Sequence, residues 1–388
     1  MRRARDLIWP TVLSFAAACT GGPGGDSGEK GAGDGHGVNP ADWSVMERGP
    51  YGLGYRTLEA TYTTPLGTTR TIPVSIWYPT EDDLGAGPGD EVRYDNLFTH
   101  ETAIANAAPA ASVHADGYPV LVHSHGHWGV AGGVAFWADR MVSQGWVVVA
   151  PGHVGNTFAE GFPNFSGDSP TAHYIERPED VSAALDAVDA AGVLDGAIQL
   201  DAVGLSGHSR GAYTAWSAGG ATFDPVALDA ACAGTSSDFP TRSCTAEESA
   251  FFLSGELVDD RFQAVLTLDG GIRGLFGDTG HTTMNGPVMA MSKPDDGGSD
   301  QAEFDQVDGL DYTWISVAGA CHESFNLGIE VSTLGPCETL AQDRGWDITA
   351  TYAFAFFRRH LLDDDGAELV SILDGSVEVD PVVSLQRR

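Results

Sequence analysis

Two hydrophobic periods alternate along the chain. The runs "YPVLVHS" (118–124), "WVVVAP" (146–151), "AVGLSG" (202–207), "FQAVLTLD" (262–269), "GPVMAMS" (286–292) and "DYTWISVAG" (311–319) are short and almost unbroken in apolar character. That is the pattern of strands buried on both faces. Between them, "GGVAFWADRMVSQG" (132–145), "RPEDVSAALDAVDAAG" (177–192) and "DITATYAFAFFRRHLL" (347–362) space their apolar residues three and four apart, which predicts helices. Ahead of them, "RTLEATYTT" (56–64) and "RTIPVSIWYPT" (70–80) read as two paired strands, the second alternating apolar with polar. Strands alternating with helices imply right-handed βαβ units. The expected fold class is therefore α/β, a mostly parallel sheet with helices on both faces.

The pattern fails in three places. Residues 81 to 117 are rich in Gly, Ala, Asp and Asn and are expected to form a long loop. Residues 221 to 261 are irregular and could form a partial lid. The stretch 363–388 is an acidic, weakly patterned tail.

Composition narrows the classes. A hydrophobic content of 42% in 388 residues can bury a real core, and the formal net charge of −34 argues against nucleic acid or an anionic membrane surface as partner. The N-terminus is a different object. "MRRARD" and then "LIWPTVLSFAAA" form a basic region and an apolar run too short to span a bilayer, so residues 1–18 read as an export signal. Cys19 follows Ala16, Ala17 and Ala18 and resembles the lipidated cysteine of a bacterial lipobox. Ala16 stands where that motif usually has leucine, and Asp6 is unusual in the basic region. Residues 19–48 are Gly-rich and polar, as a tether is. The expected location is the cell envelope through a lipid on Cys19, or outside the cell if the chain is simply cleaved near Ala18.

Export changes the reading of the remaining cysteines, Cys232, Cys244, Cys321 and Cys337, an even number in an oxidising compartment. Of three possible pairings, the local ones, Cys232–Cys244 and Cys321–Cys337, each close a short loop and are the expected bonds. Their spacing does not resemble a zinc site.

The chemistry is concentrated in "AVGLSGHSRGAYTAW", 202–216. A buried strand breaks at Gly207-His208-Ser209-Arg210-Gly211 and continues as a helix. Such a turn lifts a serine hydroxyl above the sheet edge, while glycine on both sides lets strand and helix pack closely. A serine needs a base, and the base an orienting carboxylate. In an open α/β sheet these sit at the C-terminal ends of other strands. Asp269 ends "FQAVLTLD" and His322 follows "WISVAGAC", giving the chain order Ser, Asp, His.

Together these segments resemble one family. "GPYGLGYRT", "IPVSIWYP", "LVHSHGHWG", "VVVAPGHVGNTF", "RPEDVSAALD", "GHSRGAYTA", "LTLDGG" and "AGACHESF", in that order over residues 49–362, are similar to the α/β-hydrolases called platelet-activating-factor acetylhydrolase-like and predicted dienelactone hydrolase-like esterases. Polyesterases and cutinases are relatives of that group. Dienelactone hydrolases proper use a cysteine nucleophile, and here the residue is Ser209. The resemblance implies an α/β-hydrolase domain over 49–362 with Ser209 as nucleophile, His322 as base and Asp269 as acid. In the polyesterase branch the acid follows the next strand, where Asp295 and Asp296 stand, so Asp296 is the reserve. The oxyanion donors implied are the backbone N–H groups of Arg210 and His127.

Three close histidines, His123, His125 and His127, also invite a metal reading, weakened by the lack of an acidic partner at ligand spacing nearby. The expected function is an exported serine hydrolase of carboxylic esters, short acyl chains favoured because there is no large cap domain. It needs no cofactor and takes a small ester or lipid as its partner. A lipase, polyesterase or peptidase on the same triad, or a catalytically silent binding module, are the rival readings.

Overall fold

The computed structural model describes residues 39–82, 91–94, 98–161, 171–235, 243–270, 274–294, 299–326 and 340–388. The export signal, Cys19, most of the tether, Asp295, Asp296 and Cys337 lie outside these residues.

The described strands are β1 (Gly52–Thr63), β2 (Thr69–Thr80), β3 (Glu91–Tyr94), β4 (Phe98–Ala105), β5 (Tyr118–Ser124), β6 (Val147–Pro151), β7 (Ile198–His208), β8 (Phe262–Leu268), β9 (Val288–Ser292), β10 (Tyr312–Val317) and β11 (Val383–Arg387). They form one sheet in the order β11-β10-β9-β8-β7-β5-β6-β2-β1-β4-β3. From β6 to β10 every neighbouring pair is parallel, whereas β2 joins β6, and β11 joins β10, antiparallel. The helices are α1 (Ala135–Ser143), α2 (Phe158–Gly161), α3 (Ala172–Ala191), α4 (Arg210–Ala218), α5 (Pro225–Cys232), α6 (Ala246–Phe252), α7 (Ser299–Gln306), α8 (Gln342–Leu361) and α9 (Ala367–Leu373). This is the α/β arrangement, a mostly parallel sheet flanked by helices, that the alternating pattern implies.

Strand pleating divides the buried runs between two cores. In β6, Val147 and Val149 face the core built with α3 and α4, while Val148 and Ala150 face the one built with α1 and α8. Both faces are dry, which is why these strands read as unbroken apolar runs. Pro178 sits inside α3. A proline cannot donate to the carbonyl four residues earlier, that of Tyr174. The Tyr213 hydroxyl donates to it instead, at 2.8 Å, so the helix crosses the proline without an orphaned acceptor.

Three expectations need correction. The region 81–117 holds two strands: β4 pairs parallel with β1 through 103–105, and β3 extends the edge. Its polar composition hid an edge position, where little of a strand is buried. The stretch after 363 belongs to the body. β11 completes the sheet along β10, and α9 buries Leu369, Ile372 and Leu373. The fold also begins before residue 49, since Val45 is fully buried and Glu368 accepts from Ser44 Oγ at 2.6 Å and from Val45 N–H at 3.0 Å.

The segment 221–261 carries α5 and α6, and it buries Phe223, Leu228, Phe252 and Leu257 in the α3–α4 core. Cys232 and Cys244 form a disulfide that links the two helices' flanks, as their spacing predicts. The expected Cys321–Cys337 bond lies outside the described residues because Cys337 does.

Candidate active site

Strand β5 pairs with β6 on one side and β7 on the other. The chain reverses its direction of winding there, and the strand ends open a crevice. The turns after β5, β7, β8 and β10 meet at that crevice. They carry His127, Ser209, Asp269 and His322 respectively.

Ser209 occupies φ 56° and ψ −117°, a conformation that costs of order 1–3 kcal/mol and persists only when the surroundings impose it. Those surroundings are tight. A Cβ on Gly207 would lie 2.0 Å from the Gly211 carbonyl oxygen, and one on Gly211 would lie 1.9 Å from that of Ser124. Only glycine permits strand, turn and helix to approach so closely. The Ser209 N–H donates to the Leu268 carbonyl at 2.8 Å, latching the turn to the end of β8. A Cβ on Gly126 would stand 3.2 Å from that of Ser209, so the turn bearing His127 runs alongside the serine. α4 begins at Arg210, beneath it.

Asp269 and His322 come together directly. His322 Nδ1–H donates to Asp269 Oδ2 at 2.5 Å, which leaves Nε2 as the proton-accepting nitrogen. The Asp269 side chain is nearly buried, and its second oxygen accepts the Lys293 backbone N–H at 3.1 Å. Burial alone would raise its pKa. The hydrogen bond and charge of His322, together with Lys293, outweigh burial and hold the carboxyl far below the usual range. Asp269 itself has a φ of 46°, a second non-glycine residue in the left-handed region at this crevice. Glu323, next to His322, behaves oppositely: burial pushes it up to about 7, with the His322 charge opposing and that of Asp269 adding.

A buried polar network underlies the His127 turn, and none of its members announces itself in the sequence. The Arg177 guanidinium donates to the carbonyl of His125, to Asn156 Oδ1 at 2.8 Å and to Thr214 Oγ1 at 3.2 Å. Asn156 Nδ2 donates to His127 Nδ1 at 2.7 Å. Behind Arg177, Ser124 Oγ meets His153 Nε2 at 2.9 Å, and His153 Nδ1–H donates to Asp180 at 2.9 Å. Asp180 is fully buried and also accepts from Tyr62 at 2.6 Å and from Arg70 at 2.8 Å. Each buried charge thus has partners, as it must in a dry interior. The signal available beforehand was compositional only: Arg and Asp on the buried face of a helix, three residues apart.

The three histidines do not converge. His123 Nδ1 pairs with Ser206 Oγ at 2.8 Å, while His125 donates to the Gly126 carbonyl at 2.8 Å and accepts the His153 N–H at 3.0 Å. Among the described residues no group of His, Cys, Asp or Glu is arranged to hold a metal ion. The Arg210 side chain lies over the Tyr174 ring, 5.0 Å from its centroid, on the α3 side of the crevice. Asp296 falls outside the described residues.

No family model matches the chain, and no curated protein matches it. Among solved structures it is similar to a ferulic acid esterase from Streptomyces cinnamoneus, at 19% identity and a TM-score of 0.60, over 88% of this chain and 99% of that one. At that identity the likeness speaks for the fold alone, and the fold is α/β, a mostly parallel sheet flanked by helices.

Proposed function

We propose that this chain is a serine hydrolase of carboxylic esters. The observation that carries the reading is the Asp269–His322 hydrogen bond at 2.5 Å, formed at the crevice where Ser209 sits in a strained elbow. Ser209 Oγ attacks the ester carbonyl while His322 Nε2 takes its proton, and Asp269 holds the ring and offsets the imidazolium charge. The oxyanion is held by the backbone N–H groups of Arg210 and His127. His322 then protonates the leaving alcohol, and water repeats the sequence on the acyl-enzyme.

Short acyl chains are the preferred substrates. This rests on there being no large cap among the described residues, and on the segment 221–261 being anchored in the core through Phe223, Leu228 and Phe252. Export from the cytoplasm is supported by the Cys232–Cys244 disulfide. No described helix is long and apolar enough to cross a membrane, so membrane attachment, on this reading, is through a lipid on Cys19.

The test is hydrolysis of p-nitrophenyl esters from acetate to palmitate by the full chain beside Ser209→Ala. Hydrolysis of the short chains that vanishes in the variant is expected. A folded wild type inert across the series overturns the ester reading and favours peptide substrates or the binding-module alternative.

A further inference from the structure

The residue before the nucleophile, His208, is 2% exposed and makes three contacts that all bear on the base. Its ring packs against that of His322, with centroids 4.6 Å apart and planes tilted by 43°. Its Nε2–H donates to the His322 backbone carbonyl at 2.8 Å. Its Nδ1 accepts from Asn326 Nδ2 at 3.3 Å. One tautomer, neutral with the proton on Nε2, satisfies both bonds.

Asn326 is itself tied down. Its carbonyl accepts from Trp346 Nε1 at 2.7 Å and Gln342 Nε2 at 2.9 Å, both on α8. Its side-chain Oδ1 sits in the space that glycine leaves at 133, where a Cβ would stand 1.9 Å away. The loop that bears His322 is thereby fixed at two points, by α8 through Asn326 and by β7 through His208.

We propose that His208 is a positioning residue that holds the His322 backbone and ring in the register at which Nδ1 meets Asp269, so that Nε2 faces Ser209. The proposal rests on the serine-hydrolase reading. The His208 ring is also poised to tolerate the charge that His322 acquires during turnover. Burial, reinforced by the neighbouring His322 charge, lowers the His208 pKa to about 3, so it stays neutral while its neighbour takes the proton.

The experiment compares wild type with His208→Phe and His208→Gln, all as full chains. Phenylalanine keeps a packed ring and loses the donor. Glutamine loses the ring and puts an amide N–H near the former Nε2. The readouts are kcat and KM on p-nitrophenyl acetate, and the low-field proton NMR resonance of the His322–Asp269 hydrogen bond, identified by its loss in Asp269→Asn.

His208→Phe is expected to lower kcat about 10- to 100-fold, as small misplacements of a catalytic group do. KM is expected to hold within about twofold, with the low-field resonance shifted or broadened. His208→Gln is expected to recover most of kcat and the resonance. A folded His208→Phe with wild-type kcat and resonance overturns the proposal. So does His208→Gln performing no better than His208→Phe, since that is the signature of packing alone. If neither variant folds, Asn326→Ala decides: a several-fold fall in kcat at constant KM supports the relay, and wild-type kinetics overturns it. A wild type that hydrolyses nothing removes the underlying reading, and the resonance in the same variants still tests the positioning.

Discussion

Lys293 contacts both oxygens of the Asp269 carboxylate. Its backbone N–H donates to Oδ1 at 3.1 Å, and its ammonium lies 3.2 Å from Oδ2, the oxygen that also accepts the His322 Nδ1–H. The carboxylate is thus shared between His322 and a half-exposed cation. The cation is half-exposed, so its contact with the carboxylate is screened by water. Lys293→Met is expected to change kcat/KM on a short p-nitrophenyl ester by less than about fivefold, a surface-pair magnitude. The difference from wild type is expected to shrink in high salt, because exposed charges are screened. A loss of about a hundredfold or more would contradict this account of the charge balance.

Glu323 titrates on the alkaline side of its ordinary range, raised to about 7. A raised carboxyl binds its proton more tightly in the folded chain than in the unfolded one, so folding loses stability as pH climbs from about 4.3 towards 7. Glu323→Gln is expected to raise the melting temperature more at pH 8 than at pH 5. Thermal melts at the two pH values check the pair. Equal effects at both would indicate lost contacts in place of a relieved charge.

Buried histidines give the opposite sign. Burial, with nearby positive charge adding to it, lowers His123 and His208 to about 3, and burial lowers His100 to about 4. A histidine lowered on folding contributes stability above its unfolded pKa, about 6.5, and that contribution is lost as pH falls towards the folded value. Each fully buried one contributes a slope of up to about 1.4 kcal/mol per pH unit in that window. The melting temperature is therefore expected to fall steeply from about pH 6 downwards. His123→Gln should flatten the slope. An acid transition confined below pH 4 would place the loss on carboxylates instead.

The Cys232–Cys244 bond closes a short loop between α5 and α6, at a sequence separation of 12. On a chain-entropy basis, replacing both cysteines with alanine is expected to cost about 2–3 kcal/mol. Because α5 and α6 bury Leu228 and Phe252 in the main core, the loss should appear in the global denaturant transition. A separate early transition with the main midpoint unchanged would show that the segment opens by itself.

What could be read in advance follows a physical divide. Strands β5 to β10 were legible because both faces are buried, so their sequence is apolar without interruption. Ser209, Asp269 and His322 could be singled out as candidates because strand ends in such a sheet are the places where reactive side chains gather, and the structure brings Asp269 and His322 into contact. β4, "FTHETAIA", was missed because it buries only His100 and Ala103, and its polar residues resemble a loop. α9 was missed because it is seven residues long and offers Leu369, Ile372 and Leu373 as its whole periodic signal. The polar network beneath His127 depends on pairs such as Tyr62 with Asp180, 118 residues apart. No local pattern encodes such a pair. His208 was visible only as a letter in the elbow, since its partners, His322 and Asn326, lie more than a hundred residues away.

The most direct test of the account asks whether Ser209 is the nucleophile. The full chain is incubated with a fluorophosphonate, its intact mass is measured and the modified peptide is sequenced. The account predicts one adduct per chain, on Ser209. Its rate should fall by about three orders of magnitude or more in His322→Ala, and ester hydrolysis should be lost in step with labelling. An adduct on another residue, or hydrolysis that survives in Ser209→Ala, would contradict it.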